Sequence, residues 1–173
     1  PFPLAKNKQK AIFAAMSYKY LSNSHLNYFI KHAYHEDIGD GDHSAIGAIP
    51  AHSRNRAQLI IKDDGILAGV EMAQKIYEHV SPEISFEQKI SDGTHVESGQ
   101  VAFYVEGPVR EILSAERLVL NCMQRMSGVA TYTHYLCGLI KGTGTKLLDT
   151  RKTTPNFRVA EKWAVKIGGG TNH

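Results

Sequence analysis

The stretch from Lys146 to His173 constrains this chain more than any other. Lys146-Leu147-Leu148 reads as a short buried strand. The loop Asp149-Thr150-Arg151-Lys152-Thr153-Thr154-Pro155 follows, then a helical pattern at about 157–167, then Gly168-Gly169-Gly170 and Thr171-Asn172-His173. A helical segment precedes the strand, and helix, strand and helix in that order open a β/α repeat. Two adjacent cations at the end of a buried strand are a poor answer to packing, because an unpaired buried charge is costly. They are a good answer to binding an anion, since α/β barrels and open sheets place ligand groups beyond their strand ends.

The helix before that strand is read from Leu118, Cys122, Met126, Val129, Leu136 and Ile140, which recur at helical spacing. Ser114 is the expected cap, with Glu116 in the first turn. Gly128 marks an expected bend or close helix contact, and Gly142-Thr143-Gly144 the end. Upstream, from Ala45 to Gly107, the texture is of short strands: Ala57 to Ile61, Ile84 to Glu87 and Val101 to Glu106, punctuated by Asp63-Asp64-Gly65, Ser91-Asp92-Gly93 and Gly107-Pro108. Val70 to Tyr77 is an expected short helix between them. Ser24 is expected to cap an earlier helix, His25 to Glu36, whose Leu26, Phe29, Ile30 and Ala33 share one face and which stops near Ile38-Gly39. Residues 1–15 carry two prolines and clustered lysines and read as a tag or tail, with Met16 as the expected native start.

These segments divide the chain into an N-terminal α+β sandwich domain at 16–116 and the opening part of an α/β barrel at 117–173. Asp92 to Gln100 resembles the barrel-sandwich hybrid of biotinyl and lipoyl carrier domains, but no carrier lysine motif occurs, so the likeness is one of fold. Glu36, Asp37, Asp40 and Asp42 lack the acidic spacing and distal glutamate of an EF-hand and read as turn chemistry.

Composition removes several function classes. A net charge of +3 with scattered lysines and arginines gives no footprint for nucleic acid. No apolar run has the length of a membrane span, and no secretory signal is visible. Cys122 and Cys137 fall on one helix 15 positions apart, roughly 22 Å at ~1.5 Å per residue, far beyond disulfide reach. Reduced thiols imply a cytoplasmic protein.

Arg151 offers a planar fork for a carboxylate or phosphate, Lys152 a compact point charge, and Thr150, Thr153 and Thr154 add hydroxyls. Arg151-Lys152 alone reads more readily as a solvated basic loop. The triple glycine alone allows either a sharp turn or close approach to a ligand, and it is neither a Walker loop nor a dinucleotide fingerprint. With His173 added, the set points to a small anionic ligand, phosphorylated or dicarboxylic.

The segments Ala115 to Asn121, Gln124 to Thr131, Asp149 to Pro155, Glu161 to Val165 and Gly168 to His173, with Glu36 to Asp42 ahead of them, resemble the quinolinate phosphoribosyltransferase family in order and spacing. The resemblance implies transfer of phosphoribose from phosphoribosyl pyrophosphate to quinolinate with decarboxylation, giving nicotinate mononucleotide, pyrophosphate and CO2, with Mg2+. It implies that Thr150, Arg151, Lys152 and His173 line the quinolinate pocket, with Lys152 catalytic. It further implies a homodimer or higher homo-oligomer in which Arg117 reaches the neighbouring subunit's pocket. The family continues well past the residue that matches His173, through the rest of a barrel that carries the metal carboxylates. The stretch after Arg117 is far short of the ~200 or more residues of a barrel, so an incomplete enzyme is expected from the chain as it stands.

Overall fold

The computed structural model describes residues 22–173, so the expected tail and the Met16 start lie outside the described residues. Helix α1 spans Asn23–Ile38 and α2 His43–Ala48. Strand β1 is Arg54–Ile60, β2 Gly65–Ile66, and helix α3 Val70–Val80. Strands β3 (Ser85–Gln88), β4 (His95–Val96) and β5 (Val101–Pro108) follow. Helix α4 is Val109–Leu139 and α5 Arg158–Ile167.

Strand β5 is central in an antiparallel sheet of order β1-β5-β3, and β2 pairs with β4 in a second, two-stranded ribbon. Of the three long strands only β3 alternates in burial, while β5 is buried along most of its length. Ala102, Phe103 and Val105 of β5 are buried, and Phe86 lies against Phe103 with ring centroids 4.5 Å apart. Edge strand β1 is mostly exposed and is blunted by charge, Arg54 pairing with Glu83 and Arg56 with Glu87 at 2.7 Å each. Helix α3 and the first half of α4 close the core through Met72, Ile76, Ala115, Val119, Cys122 and Met126.

Several local expectations are corrected. Helix α1 starts earlier than expected, and its cap is Ser22, whose hydroxyl accepts the His25 N–H at 3.4 Å, not Ser24. Its end at Gly39 is as expected, with φ 59. Ser114 caps nothing. Helix α4 begins directly after Pro108, and Ser114 sits inside it, donating to the Arg110 carbonyl at 2.5 Å. Gly107-Pro108 was readable as a stop, but a proline tolerates the start of a helix, where its missing N–H has no partner to lose. Gly128 makes no close helix contact: a Cβ there would meet nothing within 4 Å.

The acidic loop is turn and cap chemistry. Asp42 accepts the Ala45 N–H at 3.0 Å and caps α2, and Asp40 meets His43 at 3.1 Å. At the other end of α2, Arg110 of α4 binds the Ile49 carbonyl through Nε at 2.8 Å. Both cysteines lie free on α4, Cys122 buried and Cys137 half-buried.

Helix α4 is the spine between the two parts of the chain. Ser127 Oγ accepts the Ala68 N–H at 3.0 Å and donates back to the Ala68 carbonyl at 3.1 Å, and Thr131 Oγ1 accepts the Ile66 N–H at 2.9 Å. The helix runs unbroken across 116/117. Among the described residues no helix is long and apolar enough to cross a membrane.

Candidate active site

Leu148 and Thr171 form a parallel bridge, with the Thr171 N–H bound to the Leu147 carbonyl at 2.8 Å and the Asp149 N–H to the Thr171 carbonyl at 3.0 Å. The expected buried strand is corrected here: Lys146 is exposed and Leu148 is 59% exposed. Its pairing is limited to this one bridge, and nothing among the described residues covers Leu148. The strand–loop–helix order of a β/α unit is nevertheless formed, with α5 returning the chain so that the two bridged segments run side by side.

The loops beyond both segments carry the expected site residues. Thr150, Arg151, Lys152 and His173 are all exposed. Thr150 Oγ1 accepts the Lys152 N–H at 3.1 Å, and the Arg151 carbonyl accepts from Arg158 at 3.4 Å. Among the described residues the side chains of Arg151, Lys152 and His173 make no hydrogen bond or ion pair. His173 is tied to the start of the cationic loop, its N–H donating to Asp149 Oδ1 at 2.7 Å. The structure therefore brings Thr150, Arg151, Lys152 and His173 to neighbouring strand ends. Arg117 is held elsewhere: its Nε donates to both carboxylate oxygens of Asp37 at the end of α1, at 3.0 and 3.1 Å. That ion pair raises the Arg117 pKa further.

Two carboxylates that sequence reasoning did not single out order these loops. The first is Asp149. Lys162 Nζ of α5 reaches its Oδ1 at 2.6 Å with side chains only 4% and 7% exposed, and Asn172 Nδ2 reaches Oδ2 at 2.7 Å. Burial alone would raise the Asp149 pKa, but hydrogen bonds from Lys162, the His173 N–H and Asn172 outweigh it and lower it. The second is Glu161, which accepts the Thr154 N–H at 3.0 Å, the Thr154 hydroxyl at 2.8 Å and Arg125 at 3.0 Å. Burial is again outweighed by these bonds, and the Glu161 pKa is lowered. Arg125 and Glu161 thus hold the cationic loop from α4 and α5.

The triple glycine serves packing and turning. A Cβ at Gly168 would run into the Ala130 carbonyl oxygen and lie 2.8 Å from Thr133 Cβ, and one at Gly170 would lie 2.7 Å from Val165 Cγ1. Gly169 has φ 93 and makes the turn. Asn156 is the one described non-glycine residue with positive φ, at 62, in the turn that precedes α5.

A recess of about 1130 Å3 opens between α1, α4 and residues 153–159, lined by His25, Phe29, Glu36, Asn121, Arg125 and Asn156 among others. Its lining includes Thr153 and Thr154 but none of Thr150, Arg151, Lys152 or His173. A second recess of about 950 Å3 lies between residues 59–67 and the outer face of α4. Among the described residues no group of three or more His, Cys, Asp or Glu could hold a metal ion.

A small antiparallel-sheet domain leads through one long helix into a strand–loop–helix unit of the kind that opens an α/β barrel, with exposed cations in the loop after the bridged segment. Comparison narrows the class. Residues 42–127 match the quinolinate phosphoribosyl transferase N-terminal domain and residues 129–173 the C-terminal domain of the same enzymes. A chloroplastic nicotinate-nucleotide pyrophosphorylase (carboxylating) of Oryza sativa subsp. japonica is 44% identical over 149 residues, 86% of this chain and 40% of that protein. Quinolinate phosphoribosyltransferase (decarboxylating) 1 of Nicotiana glauca is 43% identical over 145 residues, 83% of this chain and 41% of that protein. The solved nicotinate-nucleotide pyrophosphorylase of Francisella tularensis superposes with a TM-score of 0.81 at 39% identity, covering 88% of this chain and 54% of that one. The chain belongs to the quinolinate phosphoribosyltransferase family. It spans about 40% of the length of the curated relatives it matches.

Proposed function

We propose that the protein transfers phosphoribose from phosphoribosyl pyrophosphate to quinolinate and releases CO2, a reading supported by the Nicotiana glauca relative, whose name is that of a decarboxylating quinolinate phosphoribosyltransferase. The observation that carries this reading is the set of free cationic side chains, Arg151 and Lys152 with His173, at neighbouring strand ends. Quinolinate is a dianion, so a site that binds it needs positive charge not already consumed by partners in the protein. In this reading Arg151 takes a carboxylate in its planar fork, Thr150 and His173 add hydrogen bonds, and Lys152 lies at the reacting centre. The pyridine nitrogen attacks the ribose anomeric carbon as pyrophosphate leaves. The carbon–carbon bond to the 2-carboxylate then breaks, CO2 departs and the ring carbon takes a proton. Holding nitrogen and anomeric carbon in line supplies much of the rate. The cation beside the departing carboxylate must not bind it more tightly before loss than during it.

Mg2+ belongs to this proposal as the counter-ion of pyrophosphate, held outside the described residues. A homodimer or higher homo-oligomer, with Arg117 serving the neighbouring subunit's pocket, is supported by an uncovered apolar face on α4: Leu120 is 42%, Tyr132 62% and Tyr135 58% exposed. Asp37 leaves the terminal nitrogens of Arg117 without a partner among the described residues. A cytoplasmic location is proposed from the free thiols of Cys122 and Cys137.

The test is an assay of the intact protein with phosphoribosyl pyrophosphate and either quinolinate or nicotinate. Product and CO2 from quinolinate, with none from nicotinate, are expected. Turnover of nicotinate instead would reassign the protein to another pyridine phosphoribosyltransferase. Arg151→Ala should cost about 2–5 kcal/mol in kcat/KM, the penalty for breaking a desolvated charge pair, and near-normal turnover would sink the assignment.

A further inference from the structure

We propose that Asp149 is the positioning residue of the two substrate loops, its carboxylate held by Lys162 and Asn172 so that it fixes His173 against Thr150-Arg151-Lys152. This rests on the reading of those loops as the quinolinate site.

The geometry is a clamp with four donor contacts around one buried pair. Asp149 Oδ1 takes Lys162 Nζ at 2.6 Å and the His173 N–H at 2.7 Å, and Oδ2 takes Asn172 Nδ2 at 2.7 Å. Asn172 Nδ2 also donates to the Lys162 carbonyl at 2.9 Å. Residue 149 is the last before the cationic loop and residue 172 the last before His173, so one carboxylate spans the roots of both loops. The bridge between Leu148 and Thr171 sets the separation of the segments, and the carboxylate sets the point where they diverge.

A purely structural role explains this arrangement poorly. A buried ion pair is seldom a net gain over apolar packing. Asn172 is only 6% exposed, and its Oδ1 is buried without a partner among the described residues, which costs about 1–3 kcal/mol. Both Nδ2 bonds go to acceptors, so the amide cannot be turned round to relieve this. Such a cost is carried for placement. The pair has a second consequence. A bare carboxylate two residues before Arg151-Lys152 would repel a dianionic substrate, and Lys162 neutralises it while leaving the loop cations free.

The test uses the intact protein with Asp149→Asn, Lys162→Met and Asn172→Ala, each first shown to be folded by circular dichroism. The first readout is hydrogen exchange at the His173 amide. It should be slow in the wild type and at least about tenfold faster in Asp149→Asn, with protection within α5 unchanged. The second is the split between KM and kcat. Asn172→Ala, which keeps the ion pair, should raise the quinolinate KM about tenfold or more and lower kcat, because a small misplacement of binding groups is felt in both. Lys162→Met should raise KM for dianionic quinolinate further than Asn172→Ala does. If the variants that break the ion pair fail to fold, Asn172→Ala decides. Exchange at an open-loop rate in the wild type, or a folded Asn172→Ala with both constants within about twofold of wild type, overturns the clamp. A wild type that does not turn over quinolinate overturns the substrate reading, and the exchange result still decides whether Asp149 fixes His173.

Discussion

Glu71→Gln should make the protein more stable at pH 8 and leave it unchanged at pH 4. Glu71 lies in the first turn of α3, part-buried, beside Asp92. Asp92 caps that helix from outside it, because Gly69 at the cap position has no side chain: Oδ1 accepts the Val70 N–H at 2.8 Å and Oδ2 the Glu71 N–H at 3.3 Å. Two carboxylates therefore share one helix end. Burial, with the charge of Asp92, pushes Glu71 up to about 7, and burial pushes Asp92 up to about 6 against its backbone hydrogen bonds. A carboxyl whose folded pKa is raised holds its proton more tightly in the native state. Native stability therefore falls as pH rises from the ordinary glutamate value of 4.5 through about 7, and the whole penalty is present above that. The full shift corresponds to ~3 kcal/mol, and partial solvent contact reduces it to ~1–2 kcal/mol. Glutamine also gives up a favourable charge at the helix N-terminus, ~0.3–1 kcal/mol. The net gain at pH 8 is then ~1 kcal/mol, or ~2–4 °C in Tm. Thermal melts of wild type and variant at pH 4 and pH 8 give the answer. A variant less stable at pH 8, or a difference that is the same at both pH values, would refute the reasoning.

Three further outcomes are expected. Gly168→Ala places a methyl against the Ala130 carbonyl and Thr133, in backbone that cannot retreat, and should lower stability by about 1–3 kcal/mol in a thermal or denaturant melt. Ser127→Ala removes both bonds to Ala68, leaves its N–H and carbonyl without their present partner, and should cost about 1–3 kcal/mol by the same measurement. The Cys122 thiol, pushed up to about 12 by burial, should resist alkylation at pH 8 while the half-buried Cys137 reacts, as peptide mapping after iodoacetamide would show.

Elements whose apolar residues recur at a fixed period were legible in the sequence. Strands β1, β3 and β5 and helices α1, α3 and α5 fall within a few residues of their expected places, because alternation or helical spacing is a local signal. What failed was punctuation. Ser24 and Ser114 are good capping residues by type, but Ser22 precedes the first and Pro108 starts the second helix earlier. A cap is decided by where the whole helix docks, and neither residue carries that information. The reading of Lys146 to Leu148 as a buried strand failed for a related reason. Apolar residues state a preference for burial, but burial needs a neighbour, and the described chain supplies only the bridge to Thr171.

The site shows the same division more sharply. Arg151, Lys152, Thr150 and His173 stand out in the sequence because cations and hydroxyls near glycines are unusual, and the fold sets them at the ends of two bridged segments. Asp149, Lys162, Glu161 and Asn172 were present in the same motifs and yet carried no separate signal. Their meaning is pairwise: Lys162 is an ordinary helical lysine until α5 turns it under Asp149, 13 positions earlier. Gly168 and Gly170 look like a ligand loop and prove to be clearance for α4, a contact with residues about 35 positions away. Residues proposed to meet the ligand are thus marked by their chemistry alone, whereas residues that hold their loops are defined by partners that only the fold brings near. A loop that keeps its cations free must have its anions satisfied elsewhere, and Asp149 and Glu161 are the two places where this chain does so.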